Sequence, residues 1–113
     1  LKYNLIWDKL WKSGLFSDEV YEKELAYYKK KANRYGTPLD SRAAYTKSDW
    51  ILWCAAMDNT AALIQPVAAY LKETTTRVPF SDWYQTDSGM YCYFIARSVQ
   101  GSIFMPMLAE QIK

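Results

Sequence analysis

Apolar and polar residues recur along the chain with the spacing of α-helices. Residues 3–12 form a first predicted helix with only a narrow polar edge, and Gly14 follows it. A second helix is predicted to begin at the N-cap Ser17 and to end at Gly36, because its apolar residues recur every three or four positions. Its opposite face is charged, which is typical of a helix that lies on the surface of a protein.

Three more helices are predicted in the second half of the chain. Residues 50–57 are all apolar and follow Ser48, which we expect to cap a helix buried on all sides; a buried strand is the competing interpretation. A fourth helix covers about residues 61–73, and Pro66 is expected to kink or divide it. A fifth helix covers about residues 95–112.

Two kinds of helix alternate along the chain. The first, third and fifth are apolar on all sides, whereas the second and fourth are apolar on one face. The connections at residues 37–47 and 74–89 are long, and the other two are short. Two concentric rings of helices explain both patterns and place the two long loops on one rim. An ordinary helical bundle is the competing interpretation, but it does not explain three apolar helices. The predicted fold is therefore all-α: helical hairpins in a partial (α/α) toroid of about five helices.

The predicted domain is a single all-helical unit over residues 1–113. Because the chain begins inside a helical pattern, we expect it to be a fragment of a larger toroid. Five helices make less than half of a closed ring, so the inner helices should have exposed apolar flanks. The expected partner is the remainder of the parent chain, and self-association through these flanks is the alternative.

Composition narrows the classes of function. Aromatic residues make up 17% of the 113 residues, and the net charge of +2 gives no indication of nucleic-acid binding. No stretch approaches the roughly 18 continuous apolar residues of a membrane span. The chain has no histidine, and its two cysteines are no zinc signature, so we predict neither a metal nor a cofactor. Cys54 and Cys92 are expected to be buried thiols, with a disulfide as the alternative.

Several segments, in order and at compatible spacing, resemble the C-terminal region of the glutaminase A family. They are residues 3–8 (YNLIWD), 37–42 (TPLDSR), 45–50 (YTKSDW), 76–84 (TRVPFSDWY) and 96–99 (ARSV). The resemblance implies a six-hairpin, glycosidase-like helical toroid, hydrolysis of glutamine to glutamate and ammonia, and an extracytoplasmic setting, secreted or periplasmic. The earlier hairpins of the family have no counterpart here, so we expect a fragment that is inactive alone and supplies part of a catalytic rim.

Candidate catalytic residues lie on the two long loops. Asp40 and Asp82 are the predicted acid and base, because paired carboxylates can transfer protons at an amide or glycosidic bond. The alternatives are a structural ion pair of Asp40 with Arg42 and a turn at Asp82. Asp49 is interpreted as a helix N-terminal residue that meets the helix dipole, and Asp87 as a turn residue.

Candidate substrate-binding residues lie nearby. Arg42, Arg97 and Arg77 can grip a carboxylate such as that of glutamine, because a guanidinium group forks onto two oxygens. Trp83 and Tyr84 can stack on a substrate, or else pack to hold their loop. Two other functions remain open: a carbohydrate-active six-hairpin glycosidase whose substrate is a glycan, and a helical interaction module without chemistry.

Overall fold

The protein is mostly helical in the computed structural model, which describes residues 1–76 and 79–112. The described part of the chain contains five α-helices, one 3-10 helix and two short strands. In chain order they are α1 (Leu5–Trp11), α2 (Asp18–Lys31), β1 (Tyr45–Lys47), α3 (Ser48–Ala55), α4 (Ile64–Glu73), β2 (Trp83–Gln85), the 3-10 helix (Ser98–Phe104) and α5 (Met105–Ile112). No described helix is long and apolar enough to cross a membrane.

The prediction of an all-α fold is wrong in one respect, because the two long loops each contain a strand. β1 and β2 pair antiparallel, with Tyr45 opposite Gln85, Thr46 opposite Tyr84 and Lys47 opposite Trp83. The strands have only three residues each, too few for an alternating pattern to stand out in the sequence. The pairing brings the two long loops side by side.

Helix α2 begins where the sequence predicts and ends earlier. Ser17 occupies the N-cap position in an extended conformation, although its side chain makes no capping hydrogen bond. The helix stops at Lys31 instead of reaching Gly36, since Ala32 is extended and Asn33 and Gly36 then bridge across a tight turn.

Pro66 neither kinks nor divides α4. The helix begins at Ile64, so the proline lies in its first turn. Backbone N–H groups in a first turn have no partner within the helix, and a proline there costs no hydrogen bond. The predicted fifth helix is also shorter than expected, because residues 98–104 form a 3-10 helix and only Met105–Ile112 is α-helical.

The core consists of two clusters. The larger one packs α1, α2, α3 and α4 around the fully buried Ile6 and Cys54. The smaller one consists of Tyr35, Tyr70 and Tyr84 and lies beneath the sheet. Within it the rings of Tyr70 and Tyr84 stack with centroids 3.6 Å apart. This smaller cluster holds the paired loops against the helices.

Helix α3 is largely buried, as predicted. The first and fifth predicted helices were also expected to be buried, but each of them exposes large apolar side chains. Trp11 at the end of α1 is 74% exposed. Phe104 and Met107, at the junction of the 3-10 helix with α5, are each 63% exposed. These side chains form apolar surface of the kind that commonly marks an interface. Self-association through this surface stays a prediction.

Candidate functional site

Asp82 and Arg97 form an ion pair beside the sheet. Arg97 donates from Nε to Oδ1 of Asp82 at 3.1 Å and from Nη2 to Oδ2 at 2.8 Å, which is the two-pronged geometry expected from a guanidinium group. The Asp82 side chain is fully buried, whereas 35% of the Arg97 side chain is exposed. These hydrogen bonds raise the pKa of Arg97 above its ordinary value. The pair therefore joins a buried carboxylate to a cation that reaches the surface.

Local chain geometry explains why these two residues meet. Asp82 immediately precedes β2, and its backbone oxygen accepts a hydrogen bond from the Ser48 N–H at 2.8 Å. Arg97 immediately precedes the 3-10 helix, after Tyr93 (φ 49°) and Ala96 (φ 59°) in left-handed conformations. Such conformations are rare for residues other than glycine, and they concentrate at functional sites.

Asp49 lies in the first turn of α3, close to this pair. It is 3% exposed, and its Oδ1 has no hydrogen-bond partner among residues 1–76 and 79–112. Burial raises the pKa of the Asp49 carboxyl, and the negative charge of Asp82 raises it further. Backbone N–H groups and Lys47 act in the opposite direction without overcoming burial. An unpartnered carboxyl oxygen at this depth is uncommon and calls for an explanation.

An aromatic cluster surrounds the exposed side of the ion pair. The Phe94 ring lies 4.4 Å from Cζ of Arg97 and 5.1 Å from the Trp83 ring centroid. Lys47 Nζ lies 5.8 Å from the Trp83 centroid and 5.7 Å from that of Phe94. Tyr93, which is 87% exposed, extends the cluster outward, with its ring 6.1 Å from that of Trp83.

Asp40 and Arg42 pair with each other and not with Asp82 or Arg97 in the part of the chain that the structure describes. Arg42 donates from Nε and Nη2 to both carboxylate oxygens of Asp40, at 2.7–3.0 Å. These hydrogen bonds lower the pKa of Asp40 to about 2. Both residues are largely exposed, on the loop before β1. Their catalytic and substrate-binding roles stay predictions.

The two predicted stacking residues occupy different environments. Trp83 is partly exposed and meets Tyr45 edge-on at 5.6 Å. Tyr84 is fully buried, stacks on Tyr70 and donates its hydroxyl hydrogen to the Tyr35 carbonyl oxygen at 2.7 Å. In this structure Tyr84 packs inside its loop, and of these two residues Trp83 is the one whose ring lies in the aromatic cluster around the ion pair.

The other residues considered in the sequence analysis are Asp87, Arg77 and the two cysteines. Asp87 lies in an exposed turn, where its side chain accepts a hydrogen bond from the Ser88 N–H. Arg77 lies outside the described residues. Cys54 and Cys92 are both free thiols, so the disulfide alternative is wrong; Cys54 is buried as predicted, and Cys92 is only half-buried. No cluster of potential metal ligands occurs in the parts of the chain that the structure describes.

Sequence reasoning underestimated three residues of this site. Asp49 is interpreted from the sequence as a helix N-terminal residue, whereas the structure buries its carboxyl close to Asp82. The positions of Lys47 and Phe94 depend on the pairing of β1 with β2, which the sequence did not predict. The one available signal was the concentration of aromatic residues after position 80.

Helices joined in hairpins, with the two long connections paired side by side, define a helical-hairpin domain. The chain belongs to the family described as the glutaminase A six helical-hairpin domain, whose pattern matches residues 1–107. The resemblance inferred from the sequence is thereby confirmed.

Two curated relatives support the family assignment. The chain is 37% identical over 110 residues to a protein named glutaminase A from Aspergillus oryzae, and 37% identical over 106 residues to a probable glutaminase from Arthroderma benhamiae. These alignments cover 92% and 88% of the chain, but only 16% and 12% of the relatives. The chain thus spans less than a fifth of either relative. No solved structure matches it.

Proposed function

We propose that this chain supplies one part of the active-site rim of a glutaminase-like amide hydrolase. The observation that carries the proposal is the unpartnered Oδ1 of Asp49, buried beside the ion pair of Asp82 and Arg97. Family membership and two relatives that are named as glutaminases support the choice of an amide as the substrate.

Asp49 is the best-suited proton donor and acceptor of the group. Hydrolysis of a side-chain amide requires a base that takes a proton from water and an acid that protonates the departing ammonia. A carboxyl whose pKa is raised by burial can hold a proton nearer neutral pH than an ordinary aspartate can. Oδ1 of Asp49, which has no described protein partner, is free to bond to water or substrate.

Asp82 and Arg97 provide the fixed charges of the proposed site. Both oxygens of Asp82 accept hydrogen bonds from Arg97, so this carboxylate is held in place and stays close to Asp49. Its negative charge favours the protonated form of Asp49. Asp82 is therefore proposed as the second carboxylate of the pair. Asp40 is less suited to donate a proton, because its pKa is lowered to about 2.

The toroid hypothesis accounts for the incomplete enclosure of this site. In two concentric rings of helices, both long loops lie on one rim, and other hairpins would close the substrate pocket from the opposite side. The limited coverage of the relatives fits that arrangement, in which residues 1–113 form part of a larger helical domain. An extracytoplasmic setting and inactivity of the chain alone belong to the same proposal.

The proposal can be tested by measuring ammonia release from L-glutamine with the full-length protein. We expect Asp49→Asn to lower kcat by about 100- to 10,000-fold, the usual contribution of a positioned acid or base. Asp82→Asn should also lower kcat, because the neutral side chain would bind Arg97 more weakly than the carboxylate does. Asp87→Asn is the matched control, since Asp87 lies in an exposed turn. Wild-type turnover by Asp49→Asn would refute the assigned role.

Glycan hydrolysis is a second candidate, favoured by the aromatic surface around Trp83. Tyr93 and Trp83 lie beside the carboxylates and expose aromatic faces of the kind on which sugar rings stack. Release of reducing sugar from a panel of glycans, with L-glutamine inert, would support this candidate over the amide.

A further inference from the structure

Three consecutive backbone oxygens in the segment that ends at Asp82 accept hydrogen bonds from three different helices. The Phe80 oxygen accepts one from Nε2 of Gln100, in the 3-10 helix, at 2.6 Å. The oxygen of the next residue accepts one from the Tyr70 hydroxyl of α4 at 2.8 Å. The Asp82 oxygen accepts the first N–H of α3 at 2.8 Å. The Gln100 bond differs from the other two, because it comes from the helix that Arg97 precedes.

The backbone that leads to Arg97 has no long-range hydrogen bond of its own in the described part of the chain. Within residues 93–97, the Phe94 N–H donates to the Cys92 oxygen, and the Arg97 oxygen accepts the Gln100 N–H at 3.3 Å. An arginine side chain has many rotamers, and holding it in one geometry costs conformational entropy. Its two-pronged contact with a carboxylate therefore depends on how firmly its own backbone is held.

Gln100 supplies a second contact between the same two segments. Arg97 is the N-cap of the 3-10 helix, and Gln100 lies one turn of such a helix further on. The Arg97 side chain reaches the Asp82 carboxylate, and that of Gln100 reaches the backbone oxygen of Phe80 in the same segment. Gln100 and Phe80 are both partly buried, so water competes less for their hydrogen bond than it would at the surface. The charged and the neutral contact together clamp the start of the 3-10 helix onto the segment of Asp82.

The remainder of the 3-10 helix is held in a different way. It packs on α3, and Ile103 lies against the larger core cluster. Loss of the Gln100 bond should therefore loosen the first turn, next to Arg97, without displacing the helix as a whole. The consequence of that loss would be concentrated on the ion pair.

We propose that Gln100 is a positioning residue of the candidate site, which holds the first turn of the 3-10 helix so that Arg97 meets both oxygens of Asp82. The expected effect on catalysis rests on the proposed function, whereas the geometry of the ion pair can be measured without any activity. Gln100 acts through Arg97 and Asp82 and not through the substrate. Its loss should therefore lower kcat and leave KM unchanged.

The test variant is Gln100→Met in the full-length protein, because methionine has a similar length and no hydrogen-bond donor. Gln111→Met is the matched control, at an exposed position of α5. In protein that contains isotope-labelled arginine, NMR measures how fast the Nε proton of Arg97 exchanges with water. That proton donates to a fully buried carboxylate, so it should exchange slowly in the wild type. Gln100→Met should accelerate the exchange about 2- to 12-fold, the factor that corresponds to one neutral hydrogen bond, and Gln111→Met should leave it unchanged.

Ammonia release from L-glutamine gives the second measurement. Gln100→Met should lower kcat about 2- to 12-fold as well, with KM unchanged. When Asp82 is already replaced by asparagine, the ion pair is weakened, and Gln100→Met should have little further effect because both substitutions act through one contact. A purely structural loss would have the same size in both backgrounds.

The two measurements separate this inference from the proposed function. If the wild type releases no ammonia but Gln100→Met alone accelerates exchange of the Arg97 proton, the proposed function is wrong and the clamp stands. Unchanged exchange in Gln100→Met, or equal acceleration in Gln111→Met, overturns the inference. In an active protein, a wild-type kcat in Gln100→Met, or an equal loss of kcat in the Asp82→Asn background, also overturns it. If Gln100→Met does not fold, Gln100→Asn, whose amide is one methylene too short to reach Phe80, should accelerate the exchange, and wild-type exchange in that variant would count against the clamp.

Discussion

The hydroxyl group of Tyr84 ties β2 to the turn that follows α2. It donates to the Tyr35 carbonyl oxygen at 2.7 Å, inside a cluster where Tyr84 is fully buried and Tyr35 is 7% exposed. Tyr84→Phe removes this one hydrogen bond and keeps the ring stacked on Tyr70. The substitution therefore isolates the contribution of the hydroxyl to the position of the strand that follows Asp82.

The expected loss of free energy on Tyr84→Phe follows from the burial of both partners in this hydrogen bond, Tyr84 and Tyr35. A neutral hydrogen bond contributes about 0.5–1.5 kcal/mol, and an unsatisfied buried carbonyl costs about 1–3 kcal/mol. Tyr84 is the only donor that the described residues offer to the Tyr35 oxygen, so the second figure applies. We expect Tyr84→Phe to lower the local opening free energy by about 1–3 kcal/mol. Tyr84→Leu should cost about 0.5–1.5 kcal/mol more, because it also removes the ring stack.

Hydrogen–deuterium exchange followed by mass spectrometry measures this local free energy directly. The informative amide is that of Ser48, whose N–H donates to the Asp82 carbonyl at 2.8 Å and thus reports separation of the two loops. Tyr84→Phe should accelerate its exchange about 5- to 150-fold. Tyr35→Phe is the control, since that hydroxyl makes only a 3.2 Å hydrogen bond to Glu73. Equal acceleration in both variants, or none in Tyr84→Phe, would refute the reasoning.

Two further predictions concern stability. Since burial raises the folded-state pKa of Asp49 above 3.8, the contribution of Asp49 to stability should fall as pH rises from that value through the folded pKa. The unfolding free energy of Asp49→Asn should therefore increase relative to that of the wild type over this range, and a constant difference between the two plots would contradict the argument. Gly36→Ala should destabilise the protein by about 1–3 kcal/mol more than Gly14→Ala in urea unfolding. Both glycines have positive φ, but a Cβ at Gly36 would approach Ile51 Cδ1 to 2.9 Å, whereas Gly14 has open space; equal losses would show that crowding is unimportant.

Two helices were predictable because they carry a periodic apolar signal, at residues 18–31 and 64–73. In residues 18–31 the charges also agree, with acids in the first turn and lysines in the last. The helix ends were less predictable, as Pro66 illustrates, because a proline has opposite effects in a first turn and in a helix interior. The strands were missed because three-residue segments acquire their structure from the partner strand.

The candidate site shows where single-sequence reasoning reaches its limit. Asp49 follows a serine at a helix start, and there a helix dipole normally favours a charged, solvated carboxylate. Burial reverses that expectation, because the Asp82 backbone covers the N-terminus of α3 through its hydrogen bond with Ser48. The contact joins residues 34 positions apart and depends on strand pairing, which no local pattern reveals. The same pairing that buries Asp49 also brings Asp82 close to it, so one structural event brings together the two carboxylates of the proposed site.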